Sequence, residues 1–167
     1  MESGCLEGSA LPYATSRINV GLEQADLVDL PSVRTFHDLA EADRRVLLAL
    51  VGGQPGKGGF KAPDLLIQVV DATALEPGLA LSQELCELGK PLVIALNRLD
   101  EAREKGIYIN VAALSEALGV PVVPTVAHMG KGIAALFEAV LDVARKKTCP
   151  MPQAPTPHIA ASLRELK

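Results

Sequence analysis

Asp64-Leu65-Leu66-Ile67-Gln68-Val69-Val70-Asp71 is an apolar run broken by one glutamine and rich in β-branched residues. Runs of this kind belong to strands covered on both faces, which is the situation of a parallel sheet. Working outward, Pro91–Leu96 is a second such run and Val120–Pro124 a shorter third. Between the first two, Leu75–Leu88 reads as a helix, with Pro77 in its first turn and Gly89 just past its end. Asn110 is placed to cap a short helix, Val111–Leu118, which Gly119 stops. Lys131–Lys147 is amphipathic, with Ile133, Leu136, Phe137, Val140, Leu141 and Ala144 on one face and basic residues in its last turn. Strands alternating with helices over short connections predict an α/β fold with a mostly parallel sheet flanked by helices.

The first third of the chain is patterned less clearly. Residues 1–16 carry Gly, Ser and Pro without a period and read as loop. Ile18–Val20 and Ala25–Leu30 read as short strands on either side of Gly21, and Pro31 ends the second. Apolar positions from Phe36 to Leu50 recur at helical spacing and predict a helix over Val33–Val51. Gly52–Gly59 breaks it. From Thr148 the chain carries four prolines, which predicts a linker with a short helix near Ile159–Leu166. The expected organisation is therefore 1–16 loop, 17–147 one α/β domain and 148–167 a Pro-rich tail.

Composition narrows the function. A chain of 167 residues suits one domain, and 49% hydrophobic residues give it a core built without tryptophan. A formal net charge of -4 speaks against nucleic acid, whose phosphates demand a basic surface. Cys5, Cys86 and Cys149 form no C-x-x-C pair, so free thiols are expected. His37, His128 and His158 lie too far apart to suggest a zinc site and read as surface residues, with His128 following a candidate ligand loop. There is no G-x-S-x-G elbow and no cysteine with a base signal beside it, so nothing points to a nucleophilic enzyme. No run reaches the ~18–20 apolar residues of a membrane helix, and Met1–Ala10 lacks a leader pattern. The expected location is cytoplasmic, with any membrane role exercised through a partner.

In sheets of this type ligands gather at the carboxyl ends of the strands. There the sequence places Asp71-Ala72-Thr73, then Asn97-Arg98-Leu99-Asp100, then Thr125-Val126-Ala127. The N-x-x-D spacing is the one GTPases use to read guanine. That base presents two adjacent donors, the N1 proton and the exocyclic amine, and one carboxylate accepts both. Asp100 is the candidate reader, Asn97 the tie between loops, Arg98 a stem lying along the base, and Ala127 a backbone donor to guanine O6. The competing explanation is that Asn97 and Asp100 merely cap the helix that follows.

The wording between these loops carries a family resemblance. Pro63-Asp-Leu-Leu-Ile-Gln-Val-Val-Asp-Ala-Thr-Ala-Leu-Glu76, Glu87–Asn97, Leu99–Ile107 and Leu114–Gly132 resemble the ferrous iron transport protein B family, as does Asp29-Leu30-Pro31. The resemblance spans roughly residues 12 to 145. It implies a G domain that binds GTP and GDP with Mg and regulates Fe(II) uptake through a membrane permease part, with a homo-oligomer possible. It assigns base contacts to Asn97, Arg98, Asp100, Thr125, Val126 and Ala127. It assigns Mg to Asp29 through water and to Thr15, within a residual switch segment, and a phosphate contact to the position of Ser32. Two positions depart from it: Ser32 stands where the family has Gly, and Arg98 where it usually has Met.

The family pattern opens with a strand, a G-x-x-x-x-G-K-[ST] loop and a helix, and the resemblance begins after all three. Val46–Gly59 imitates such a loop, but Gly52 to Gly56-Lys57 is one residue short and Gly58 stands where Ser or Thr is required. Backbone N–H groups and the lysine of that loop hold the phosphates, so weak triphosphate binding and impaired hydrolysis are expected. The alternative is a non-hydrolysing relative acting as an interaction or regulatory module. Without its first strand the sheet is expected to close up into five strands, with 25–30 paired directly to 64–70, or to have an edge completed by another chain.

Overall fold

The turn at Gly21 joins two antiparallel strands that are longer than their apolar content suggests. In the computed structural model, which describes residues 2–4, 13–36, 41–54 and 60–146, β1 (Glu2–Gly4), β2 (Tyr13–Val20) and β3 (Glu23–Asp29) form one sheet in that order. Ala14 lies opposite Asp29 and Val20 opposite Glu23. Residues 1–16 are thus not loop throughout, because β2 already begins at Tyr13. Most of β3 is exposed, so a hydrogen-bond ladder rather than burial defines this ribbon, and it leaves no apolar alternation to read.

The helix expected over Val33–Val51 is α1, Glu41–Gly52. Residues 33–36 are irregular, although Phe36 is buried, and periodic apolar positions in a packed irregular segment mimic a helix. Leu39 and Ala40 lie outside the described residues. The glycine cluster is flanked by β4 (Gly53–Gln54) and β5 (Phe60–Lys61), which pair antiparallel. Phe60 meets the edge of the buried Tyr13 ring at 5.0 Å between centroids. These elements form a first compact unit, ending at Pro63; a second begins at Asp64.

The second unit holds the parallel sheet. The three apolar runs become β6 (Leu66–Asp71), β7 (Leu92–Asn97) and β8 (Val122–Pro124), side by side and parallel. Between them lie α2 (Leu75–Glu87), α3 (Leu99–Glu104) and α4 (Val111–Leu118), and α5 (Ile133–Lys146) follows. Asn110 caps α4 as expected, its Oδ1 accepting the Ala113 N–H at 3.1 Å. Val93, Ala95 and Val123 of the sheet pack with Leu136 and Val143 of α5. Ala144, expected on the apolar face of α5, is exposed, and Val143 takes its place. Among the described residues the five-stranded closure is not seen: the parallel sheet has three strands there, β3 pairs with β2, and β6 pairs with β7. A hairpin neighbour is the short-range solution with the smaller loop-closure cost. The Pro-rich tail and its short helix lie outside the described residues.

On the other face of β6, the one glutamine in the apolar run ties α2 to the strand. Gln68 is buried; its Nε2 donates to the Gly78 carbonyl at 2.8 Å and its Oε1 accepts the Ser82 hydroxyl at 2.7 Å. The close approach depends on Gly78, since a Cβ there would sit 2.5 Å from Val70 Cγ1. Alanine gains ~0.5–1 kcal/mol of helix propensity over glycine. Val70 is fully buried and stiff at χ1, so overpacking at ~1–3 kcal/mol outweighs that gain. Gly78→Ala is expected to lower the denaturant midpoint, a result opposite in sign to an exposed helical Gly→Ala.

Candidate functional site

Register brings the polar ends of the three parallel strands together. Asp71 is the partner of Asn97 across β6 and β7, and Leu96 of Pro124 across β7 and β8. Thr125 continues the ladder, its N–H donating to the Leu96 carbonyl at 2.8 Å. Asn97 then acts as a tie: its Oδ1 accepts the Ala127 N–H at 2.9 Å and the Thr125 hydroxyl at 3.3 Å. The loop after β8 closes on itself through Val126 and Lys131, which exchange N–H···O bonds of 3.0 and 3.2 Å around a 3₁₀ turn at Ala127–Met129. Gly132 follows at φ +80°, where a Cβ would fall on the Pro124 carbonyl oxygen. Only glycine permits that crossing.

Helix capping does not account for Asn97 and Asp100. The N-cap of α3 is Arg98, and no side chain caps the helix. Asp100 sits in the first turn of α3; its Oδ1 is buried without a hydrogen-bond partner among the described residues. Its Oδ2 lies 3.8 Å from the exposed His128 Nε2. An orphaned carboxylate oxygen is costly in a protein. It is the feature expected of a group whose partner is a ligand.

Arg98 has a different setting from the one expected. Its backbone is left-handed, φ 64° and ψ 34°. Its Nη1 donates to Asp71 Oδ2 at 2.7 Å, while Nε, at 2.8 Å, and Nη2 fork onto the two oxygens of Glu101. Asp71 Oδ1 in turn accepts the N–H and the hydroxyl of Thr73, each at 2.8 Å. Burial pushes the Asp71 carboxyl up, but the bonds from Thr73 and Arg98 win and hold it below its ordinary 3.8. The Arg98 fork likewise holds Glu101 down.

The profile described as "Ferrous iron transport protein B" matches residues 4–140. The chain belongs to the ferrous iron transport protein B family. The Fe(2+) transporter FeoB of Salmonella typhimurium is 42% identical over 120 residues, 70% of this chain and 15% of that protein. A Porphyromonas gingivalis Fe(2+) transport protein A/FeoB fusion is 46% identical over 81 residues, 48% of this chain and 10% of the fusion. The chain thus spans a small fraction of the curated relatives it matches. The cytosolic domain of Thermotoga maritima FeoB in its GMPPNP form superposes with a TM-score of 0.78 at 27% identity, over 90% of this chain and 56% of that one. The fold is therefore that of a G domain. No helix among the described residues is long and apolar enough to cross a membrane.

Of the residues assigned by resemblance to this FeoB family, the structure brings Asn97, Arg98, Asp100, Thr125, Val126 and Ala127 into one set of adjoining loops. Two of them are placed differently from expectation. The Arg98 head group is committed to carboxylates, and the single N–H of Ala127 is taken by Asn97. Thr15, Asp29 and Ser32 belong to the first unit. Thr15 lies within β2 opposite Val28, not in a loop; Asp29 ends β3, and Ser32 is in the irregular stretch after it. Among the described residues no group of three or more His, Cys, Asp or Glu side chains is placed to hold a metal ion. Asp71 and Thr73 were expected in a strand-end loop, but their link through Arg98 to Glu101 was not foreseen. Their signals were present: Asp-x-Thr is an Asx-turn pattern, and Arg98 and Glu101 stand at the i,i+3 spacing that pairs charges on a helix.

Proposed function

We propose that this chain is the guanine-reading part of a ferrous iron transport protein B-type system and regulates Fe(II) uptake through a membrane permease part. Asp100 accepts the N1 proton and exocyclic amine of the base, Asn97 holds the loop after β8, and the Ala127 N–H exchanges Asn97 for guanine O6. The observation that carries this reading is the buried Asp100 oxygen, in the first turn of α3, left without a hydrogen-bond partner among the described residues. The T. maritima relative, solved in a GMPPNP form, supports it. Bound nucleotide would supply the phosphates that coordinate Mg; among the described residues no group of three or more His, Cys, Asp or Glu side chains is placed to hold the ion.

No G-x-x-x-x-G-K-[ST] run occurs in these 167 residues, so the base rather than the phosphates dominates the affinity of this chain by itself. GDP and GTP are then expected to bind with similar strength, and Mg to change either by little. Titration with fluorescent GDP and GTP analogues, with Mg and with chelator, tests this. Saturation near micromolar concentration that adenine nucleotides fail to compete supports the reading. No binding at hundreds of micromolar removes it, and favours a non-hydrolysing relative that acts by binding other proteins.

A further inference from the structure

Arg98 is the one non-glycine residue at positive φ among the described residues. A left-handed backbone crowds Cβ against the following carbonyl, so a residue other than Gly or Asn is retained there only when its surroundings hold it. Here they do. The guanidinium bridges a carboxylate at the end of β6 and another in the first turn of α3, and the β6 carboxylate is itself fixed by Thr73. Thr73, Asp71, Arg98 and Glu101 form one continuous chain of charge-assisted bonds. Asp100 stands between Arg98 and Glu101 in sequence, on the very turn that the fork clamps.

We propose that Arg98 is a positioning residue: by clamping Asp71 to Glu101 it holds the left-handed turn that delivers the Asp100 carboxylate to the base. This rests on Asp100 being the guanine reader and adds the device that orients it. The planar fork matters, because lysine reaches one carboxylate at a time and cannot grip both. The three side chains are each more than a third exposed, so salt screens the clamp and its effect is moderate.

The test separates positioning from plain stabilisation by comparing GDP with inosine diphosphate, which lacks the exocyclic amine. Arg98→Met keeps the alkyl stem and loses both carboxylates; Arg98→Gly permits the left-handed turn without strain but no longer holds it, because the clamp is gone. Both are expected to weaken GDP about three- to tenfold, the scale of two screened ion pairs, with a smaller loss for inosine diphosphate. The ratio of the two affinities therefore falls. Arg98→Lys should recover part of it. Amide chemical shifts of Thr73 and Asp100 supply a readout that needs no nucleotide, and both should move in Arg98→Met and in Glu101→Gln. An unchanged affinity ratio together with an unmoved Asp100 amide overturns the proposal. If the unsubstituted chain binds no GDP, the guanine reading fails, and the Asp100 shift still decides whether Arg98 positions that turn.

Discussion

Asp100→Asn should weaken GDP about a hundredfold or more and turn the preference of the chain toward xanthosine diphosphate. Guanine offers two donors, and the carboxylate accepts both. The asparagine amide keeps one acceptor but sets an NH₂ against the exocyclic amine of the base. Xanthine carries a carbonyl at that position, so the same NH₂ gains a partner while the N1 proton still meets Oδ1. A hydrogen bond to a charged group contributes ~1.5–3 kcal/mol, and each 1.4 kcal/mol is tenfold in affinity. One lost bond and one donor facing a donor give roughly 10²- to 10³-fold; the lower end fits a side chain still 32% exposed. Competition titrations with both nucleotides on both proteins check this. An equal loss for the two, or none, would mean the carboxylate does not face the base.

Stability should move the other way. With Oδ1 buried and unpartnered, the free protein carries an uncompensated carboxylate, and a neutral amide reduces that cost. Asp100→Asn is therefore expected to melt no lower than the parent. A residue that stabilised the fold by capping α3 would behave in the opposite sense.

The parallel half of the fold was legible because its signal is redundant. Asp64–Asp71, Pro91–Leu96 and Val120–Pro124 are apolar on both faces, and Asn110 and Gly119 mark the ends of α4 independently of periodicity. The antiparallel ribbon was only half legible, since Thr15, Ser16, Arg17 and Asn19 lie in a strand held by its ladder and not by a buried face. The helix expected from Val33 is irregular over 33–36, where Phe36 is nevertheless buried, and a 3.6-residue period does not say whether a buried side chain rides on a helix. At the candidate site, residue types and spacing singled out Asn97 and Asp100. They could not show that Asn97 holds the Ala127 N–H or that Arg98 grips Asp71, because pairings across 27 and 30 residues depend on strand register. Arg98 is the instructive case. Read by spacing alone it was a stem beside a base, yet its head group closes a network with three neighbours.

The second large effect concerns the loop after β8. Gly132→Ala should destabilise the chain by about 2–5 kcal/mol, combining left-handed strain of ~1–2 kcal/mol with an overlap costing ~1–3 kcal/mol. Its new Cβ would fall on the Pro124 carbonyl oxygen and within 3.1 Å of the Pro124 carbonyl carbon and Thr125 Cα. All three are backbone atoms at the end of a paired strand, so none can swing aside as a flexible side chain would. At ~2–4 °C per kcal/mol for a chain of this size, the melting temperature should fall by roughly 4–20 °C. Gly130 supplies the control. It is also left-handed, at φ +69°, but a Cβ there meets nothing within 4 Å, so Gly130→Ala carries the strain without the overlap. Whatever relief Gly132→Ala finds must come from shifting Pro124 and Thr125, and that draws the Ala127 N–H away from Asn97. Thermal melts of the two variants, with hydrogen exchange at the Ala127 amide, read both consequences. Equal melting of the two would mean that the crossing at Pro124 is not as close as described; a larger fall for Gly132→Ala with faster exchange at Ala127 ties the glycine to the loop after β8 that Asn97 holds.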